Sequence, residues 1–136
     1  LTGDLGYKDN KNFLYFVSRK KDVIISSGEN IYPSDIEKEV LKFKNISECC
    51  AIGIPDKFFG EALFIVCVIK KKDKNIEIKL RNFLRTRLAN FQQPLGYDFI
   101  SLLPKNRLGK IIKADIKKIY IKRKLDLSKQ IRKILN

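Results

Sequence analysis

The stretch ALFIVCVIK, residues 62–70, puts eight apolar residues in a row before its lysine. It is rich in β-branched and aromatic types, which favours a strand over a helix. A strand with no polar alternation must be covered on both faces, so this one belongs in the middle of a sheet. Before it, PDKFFGE at 55–61 supplies turn formers, and residues 47–54 read as a partner strand. After it, residues 76–89 show helical spacing, with Leu80, Phe83, Leu84 and Leu88 on one face. FQQP at 91–94 stops that helix. Further upstream, DVIIS at 22–26 reads as a strand and residues 34–44 as a helix, with Ile36, Val40, Leu41 and Phe43 near helical spacing. Two starts fit that helix. Ser34 and Glu37 match a capping box, and Pro33 matches the first helical position. The outermost pieces are short strands at 5–8 and 13–17 around DNKN, a strand at 97–103 and a helix at 112–120. Residues 121–136 extend that helix as a basic tail around Leu125, Leu127, Ile131 and Leu135. The order is a hairpin followed by β-α-β-β-α-β-α. It predicts an α+β fold, a small mixed or antiparallel sheet covered by helices.

The composition narrows the chemistry. A chain of 136 residues with 44% hydrophobic content can bury a real core. The first residue is Leu1 and no Met occurs, so the expectation is a chain trimmed from something longer. No apolar run reaches the length of a membrane span. His is absent, which removes Ser-His-Asp triads, Cys-His pairs and His-ligated metals. Cys49, Cys50 and Cys67 lie in strand-like runs without metal spacing, which suits buried thiols in a reducing, cytoplasmic setting. Chemistry must then come from Lys, Arg, Asp, Glu or backbone groups. The net charge of +14 is concentrated late, because residues 103–136 hold 12 Lys and Arg against 2 Asp. Such a segment suits a solvated helix face or an acidic partner.

Three loops carry candidate functional residues. SSGEN, residues 26–30, places Gly28 between a strand and a helix start, where a missing Cβ permits positive φ and close approach. RLGK, residues 107–110, places Lys110 after a glycine, and a lysine there matters if a negative reactant must be neutralised. TGD, residues 2–4, contains Asp4, whose two acceptor oxygens suit a sugar diol or a turn cap.

Taken in order, TGDLG (2–6), SRKKDVIISSGENIYPSDIE (18–37), PDKFFGE (55–61) and LPKNRLGKI (103–111) resemble the closing part of AMP-forming acyl-CoA synthetases. These belong to the adenylate-forming superfamily. The resemblance spans about residues 2–117.

It implies a division into residues 1–20, the hairpin that ends an N-terminal adenylation domain, residues 21–120, a C-terminal lid, and residues 121–136, a basic helical tail. It further implies a two-step reaction. A carboxylic acid and ATP give an acyl-adenylate and pyrophosphate, then the lid swings and coenzyme A takes the acyl group as a thioester. Mg²⁺ would be bound mainly by the adenylation domain. Position by position, Asp4 matches the aspartate on the ribose hydroxyls and Arg19 a second nucleotide contact. Lys21 matches the hinge. Lys110 matches the catalytic lysine of the first step. Gly28, Glu29 and Asn30 match the loop lining the pantetheine channel in the second. The GENIYP form is similar to ligases for aryl or fatty acids. Ser18 stands where the family most often has Gly, FQQPLG (91–96) lacks the usual flanking lysines, and the tail has no counterpart. An acyl-carrier protein could replace coenzyme A as acceptor. A basic nucleic-acid-binding module is the remaining alternative, with tail charge for it and no stacking motif behind it.

Overall fold

A computed structural model describes residues 4–8, 14–19 and 22–135, with side chains described for 22–124, 133 and 134. Strands β1 (Asp4–Lys8) and β2 (Leu14–Arg19) form an antiparallel pair, irregular between Leu5 and Gly6. The predicted hairpin is therefore present.

The main sheet contains β3 (Ile24–Ser26), β4 (Glu29–Ile31), β5 (Ile46–Asp56), β6 (Gly60–Ile69) and β7 (Gly96–Phe99). The apolar run at 62–70 is central, as its composition requires. Along one edge β6 pairs antiparallel with β5 from Asp56↔Gly60 to Ile46↔Ile69. Its other edge takes β3 at Gly60 and, in parallel, β7 from Phe64 to Cys67. Strand β4 flanks β3. The sheet is mixed, with β7 its parallel member.

Helices cover both faces. On one side α1 (Pro33–Val40) and α2 (Ile76–Arg85) contribute Ile36, Val40, Leu80 and Leu84 to a core with Ala51, Leu63, Ile65 and Cys67. On the other, Ile116 and Tyr120 of α3 (Lys113–Leu135) join Leu103 against Cys50, Ile52, Ile54 and Val66. Alternate residues of β5 and β6 thus point into different cores, which is why neither strand shows a polar face. Leu80 and Leu84 are fully buried, so Leu80→Ala costs about 2–5 kcal/mol.

Helix boundaries differ from expectation for local reasons. Helix α1 starts with Pro33 at its first position and has no side-chain cap, which decides between the two starts. It ends at Val40, not 44, because Lys42 and Phe43 bond back three residues, to Glu39 and Val40. Helix α2 ends at Arg85, not 89. Gln93 of the FQQP stop folds back, its Nε2 donating to the carbonyls of Leu84 (3.1 Å) and Leu88 (2.9 Å). Strand β7 closes at Phe99, and Ser101 and Leu102 beyond it are exposed. Residues 113–135 form one continuous helix. Among the described residues no helix is long and apolar enough to cross a membrane.

Candidate active-site loops

The SSGEN corner is a two-residue β-hairpin. Ser26 pairs with Glu29, so Ser27 and Gly28 alone reverse the chain. Their φ values are 51° and 80°, the doubly positive pattern of a type I′ turn, whose twist suits flanking strands. Glycine meets this demand at no cost, and serine meets it under mild strain. A Cβ built on Gly28 would touch nothing within 4 Å, so the conformation, not crowding inside the domain, selects glycine here. Glu29 and Asn30 follow on β4, both exposed. The tip is tied down: the Ser27 N–H donates to the Phe59 carbonyl at 2.7 Å in the β5–β6 turn. That turn is itself braced. Asp56 Oδ2 accepts from the N–H groups of Phe58 and Phe59, both at 2.9 Å. These two backbone bonds hold the Asp56 carboxyl below its usual range, and Lys124 of α3 adds to them.

The Lys110 loop is built differently. Lys105 and Ile111 form an isolated antiparallel bridge. Between them the Asn106 N–H donates to the Lys110 carbonyl at 2.8 Å, and the Gly109 N–H to the Asn106 carbonyl at 3.0 Å. The Asn106 side chain fills the interior of the loop. Its Oδ1 accepts from Leu108 N at 2.9 Å and Lys110 N at 3.0 Å. Gly109 takes φ 80° with open space where a Cβ would stand. The loop is thus a fixed mount, and the Lys110 side chain is exposed on it.

Lys110 borders a cleft of about 590 Å³ lined also by Lys113, Lys117, Glu37, Ser34 and Asp22. Two of its three lysines are engaged. Lys113 Nζ lies 2.8 Å from Glu37 Oε2 and Lys117 Nζ 3.7 Å from Glu61 Oε2. Among the described residues no carboxylate lies within ion-pair distance of Lys110. The same Glu37 oxygen accepts from Ala51 N at 2.9 Å, while Lys113 Nζ reaches the Ala51 carbonyl at 3.5 Å. Glu37 is therefore a tie between α1, the outer edge of β5 and α3, not the partner of Ser34 in a capping box.

The remaining predicted positions are placed less fully. Asp4 and Arg19 stand opposite each other in the β1–β2 ladder. Lys21, expected at the hinge, lies outside the described residues. The structure gathers Gly28, Glu29 and Asn30 on one hairpin and puts Lys110 on a separate loop. Sequence reading missed Asn106 as a brace, and the signal was the Asn-x-x-Gly spacing before Lys110. All three cysteines are free and buried, and burial pushes the Cys50 and Cys67 thiols up to about 12. They are inert packing groups at neutral pH. Among the described residues no three potential metal ligands cluster.

Comparison with known proteins agrees with this fold. The chain is 42% identical over 118 residues to 2-succinylbenzoate–CoA ligase of Lactococcus lactis, covering 85% of this chain and 25% of that protein. It is 41% identical over 112 residues to long-chain-fatty-acid–CoA ligase of Bacillus subtilis, covering 82% and 20%. The ATP-bound structure of MatB from Rhodopseudomonas palustris superposes with a TM-score of 0.85 at 33% identity, covering 89% of this chain and 24% of that one. The chain thus spans a quarter or less of the length of these relatives. The family model of the AMP-binding enzyme C-terminal domain matches residues 35–110. More than half of the sequence lies inside that match, and the chain belongs to the AMP-binding enzyme C-terminal domain family.

Proposed function

We propose that this chain is the lid of an ATP-dependent, AMP-forming acid–thiol ligase, acting with an N-terminal adenylation domain that binds ATP, Mg²⁺ and the carboxylic acid. The observation that carries the reading is Lys110, a cation on a braced loop with no carboxylate partner among the described residues. Attack of a carboxylate on the α-phosphate of ATP brings two anions together and builds charge on the phosphoryl oxygens. A preplaced ammonium group offsets both. Lys113 and Lys117 are engaged internally and serve less well. Asp4 and Arg19, partners in the hairpin ladder, are assigned to the nucleotide, and Lys21 to the hinge. Residues 1–20 then end the adenylation domain, 21–120 form the lid, and 121–136 are assigned to a basic helical tail.

The second step needs an open path for a pantetheine arm. The exposed tip at Gly28, with Glu29 and Asn30 beside it, is assigned to that path, and coenzyme A to the acceptor. The named relatives are CoA ligases for succinylbenzoate and long-chain fatty acids, so an apolar or aryl acid is the proposed substrate class.

The test separates the two steps. The chain alone should give no ATP–pyrophosphate exchange. Joined to its adenylation domain, it should give exchange and then thioester formation with coenzyme A. Exchange by the chain alone, or thioester formation only with a carrier protein, would contradict the assignment.

A further inference from the structure

We propose that Phe58, with Ile25 and Phe59, is the anchor that seats the lid on its adenylation domain in the orientation that presents Gly28. The inference rests on the lid reading above. Phe58 is 91% exposed, Ile25 52% and Phe59 42%. At roughly 200 Å² for an aromatic side chain, the three present on the order of 350 Å² of surface. The backbone sets them near one another, since Ser27 N–H bonds the Phe59 carbonyl and a Cβ on Gly60 would stand 3.6 Å from the Ile25 carbonyl, and a group of exposed apolar residues, unlike a single one, marks a contact site.

Two features make this patch an anchor. First, it is rigid. Asp56 holds the backbone on both sides of Phe58, and Lys124 of α3 lies 3.6 Å from the same carboxylate. Ile25 is fixed as well, its N–H donating to Glu61 Oε1 at 3.1 Å. An aromatic on a preorganised turn loses little freedom on docking. Second, it is coupled to the predicted channel loop. The Ser27–Phe59 bond ties the Gly28 tip to the Phe58 turn, so the two move as one surface.

The size of the patch selects the partner. A stable complex of separate proteins buries about 800 Å² on each side. This patch offers less than half of that, too little to hold a second copy. A tethered domain needs far less area, because linkage raises its effective concentration to the millimolar range. Weak seating also suits a lid that must leave again. The relatives supply such a domain, since this chain matches only 25% of the Lactococcus lactis ligase.

The experiment uses the full ligase carrying this lid, with Phe58→Ala and Phe58→Lys. Thioester formation from supplied acyl-adenylate should fall about tenfold for Ala and about a hundredfold for Lys. ATP–pyrophosphate exchange should change less than about twofold, and the melting temperature should not move, because the Phe58 side chain is almost fully exposed. If Gly28 variants impair thioester formation while both Phe58 variants leave it intact, the anchor is wrong and the lid reading stands. If Gly28 variants also leave it intact, the lid reading itself fails. A dimer of this chain that Phe58→Lys dissolves, seen by sedimentation, would assign the patch to a second copy and overturn the proposal.

Discussion

At Ser27–Gly28 the chain reverses in two residues, and at Asn106–Gly109 in four. Each turn sets a glycine at φ 80° with empty space where its Cβ would be. Each is exposed. Their bracing differs. The first is held from outside, by the Phe59 carbonyl of a neighbouring turn. The second is held from inside, by one asparagine side chain bonded to two of its own N–H groups. Their surroundings differ more. Apolar side chains flank the first, and a cleft with three lysines lies beside the second. One small domain therefore offers two chemically distinct surfaces, as the proposed service in two reaction steps requires.

Substitutions that act on one surface alone are the sharpest way to test this division. The largest effect is expected from Lys110→Ala in the full ligase. Adenylate formation, followed by ATP–pyrophosphate exchange, should fall by about two to three orders of magnitude. Thioester formation from supplied adenylate should stay within about threefold. Equal loss in both steps would erase the contrast.

Gly28→Leu and Gly28→Asn should do the reverse, lowering thioester formation by about 10- to 100-fold with exchange preserved. The pair separates two causes. Leucine in the left-handed region costs about 1–2 kcal/mol, whereas asparagine tolerates it. Equal kinetic loss with unequal denaturation midpoints would show that side-chain bulk in the channel, not hairpin strain, does the damage.

Asn106→Ala removes two hydrogen bonds worth about 0.5–1.5 kcal/mol each. Adenylate formation should drop about tenfold as the mount of Lys110 loosens. Asn106→Asp, which keeps the acceptor, should restore most of it. No loss in the alanine variant would mean that the loop needs no internal brace.

The smallest effect concerns pH. The Asp56 carboxyl is held below the ordinary aspartate value of about 3.9 by the N–H groups of Phe59 and Phe58. Its ionised form is therefore favoured by folding. That contribution is complete above about pH 4 and disappears as pH falls through the lowered value. The gap in urea midpoint between the unaltered protein and Asp56→Ala should be constant from pH 7 to 5 and should close toward pH 3. A gap that persists at low pH would assign the stabilisation to something other than the charge.

Much of this was legible in the sequence. Eight consecutive apolar residues announced a central strand, and Leu80 and Leu84 announced a buried helix face. The α+β class and the family membership followed from elements of ordinary length and from loop motifs in order. What stayed hidden was short or non-local. Strand β4 has three residues, too few for alternation to register, so the hairpin at Ser27–Gly28 read as a corner opening directly into a helix. Glu37 resembled a capping-box member because its spacing from Ser34 fits. Its actual partners, Ala51 and Lys113, are 14 and 76 positions away, beyond any local pattern. That no carboxylate among the described residues pairs with Lys110 was equally out of reach, since it depends on which carboxylates the fold delivers to its neighbours.

Glu37 and Lys113 have one more consequence. Strand β5 is eleven residues long, mostly apolar and last in its sheet, the kind of border that invites a foreign strand to add on. At Ala51, midway along, the donor and the acceptor are already taken by one acid and one base. On the proposed reading, in which the lid leaves its seat between the two steps, this charged clasp guards the β5 border against strand addition while it faces solvent.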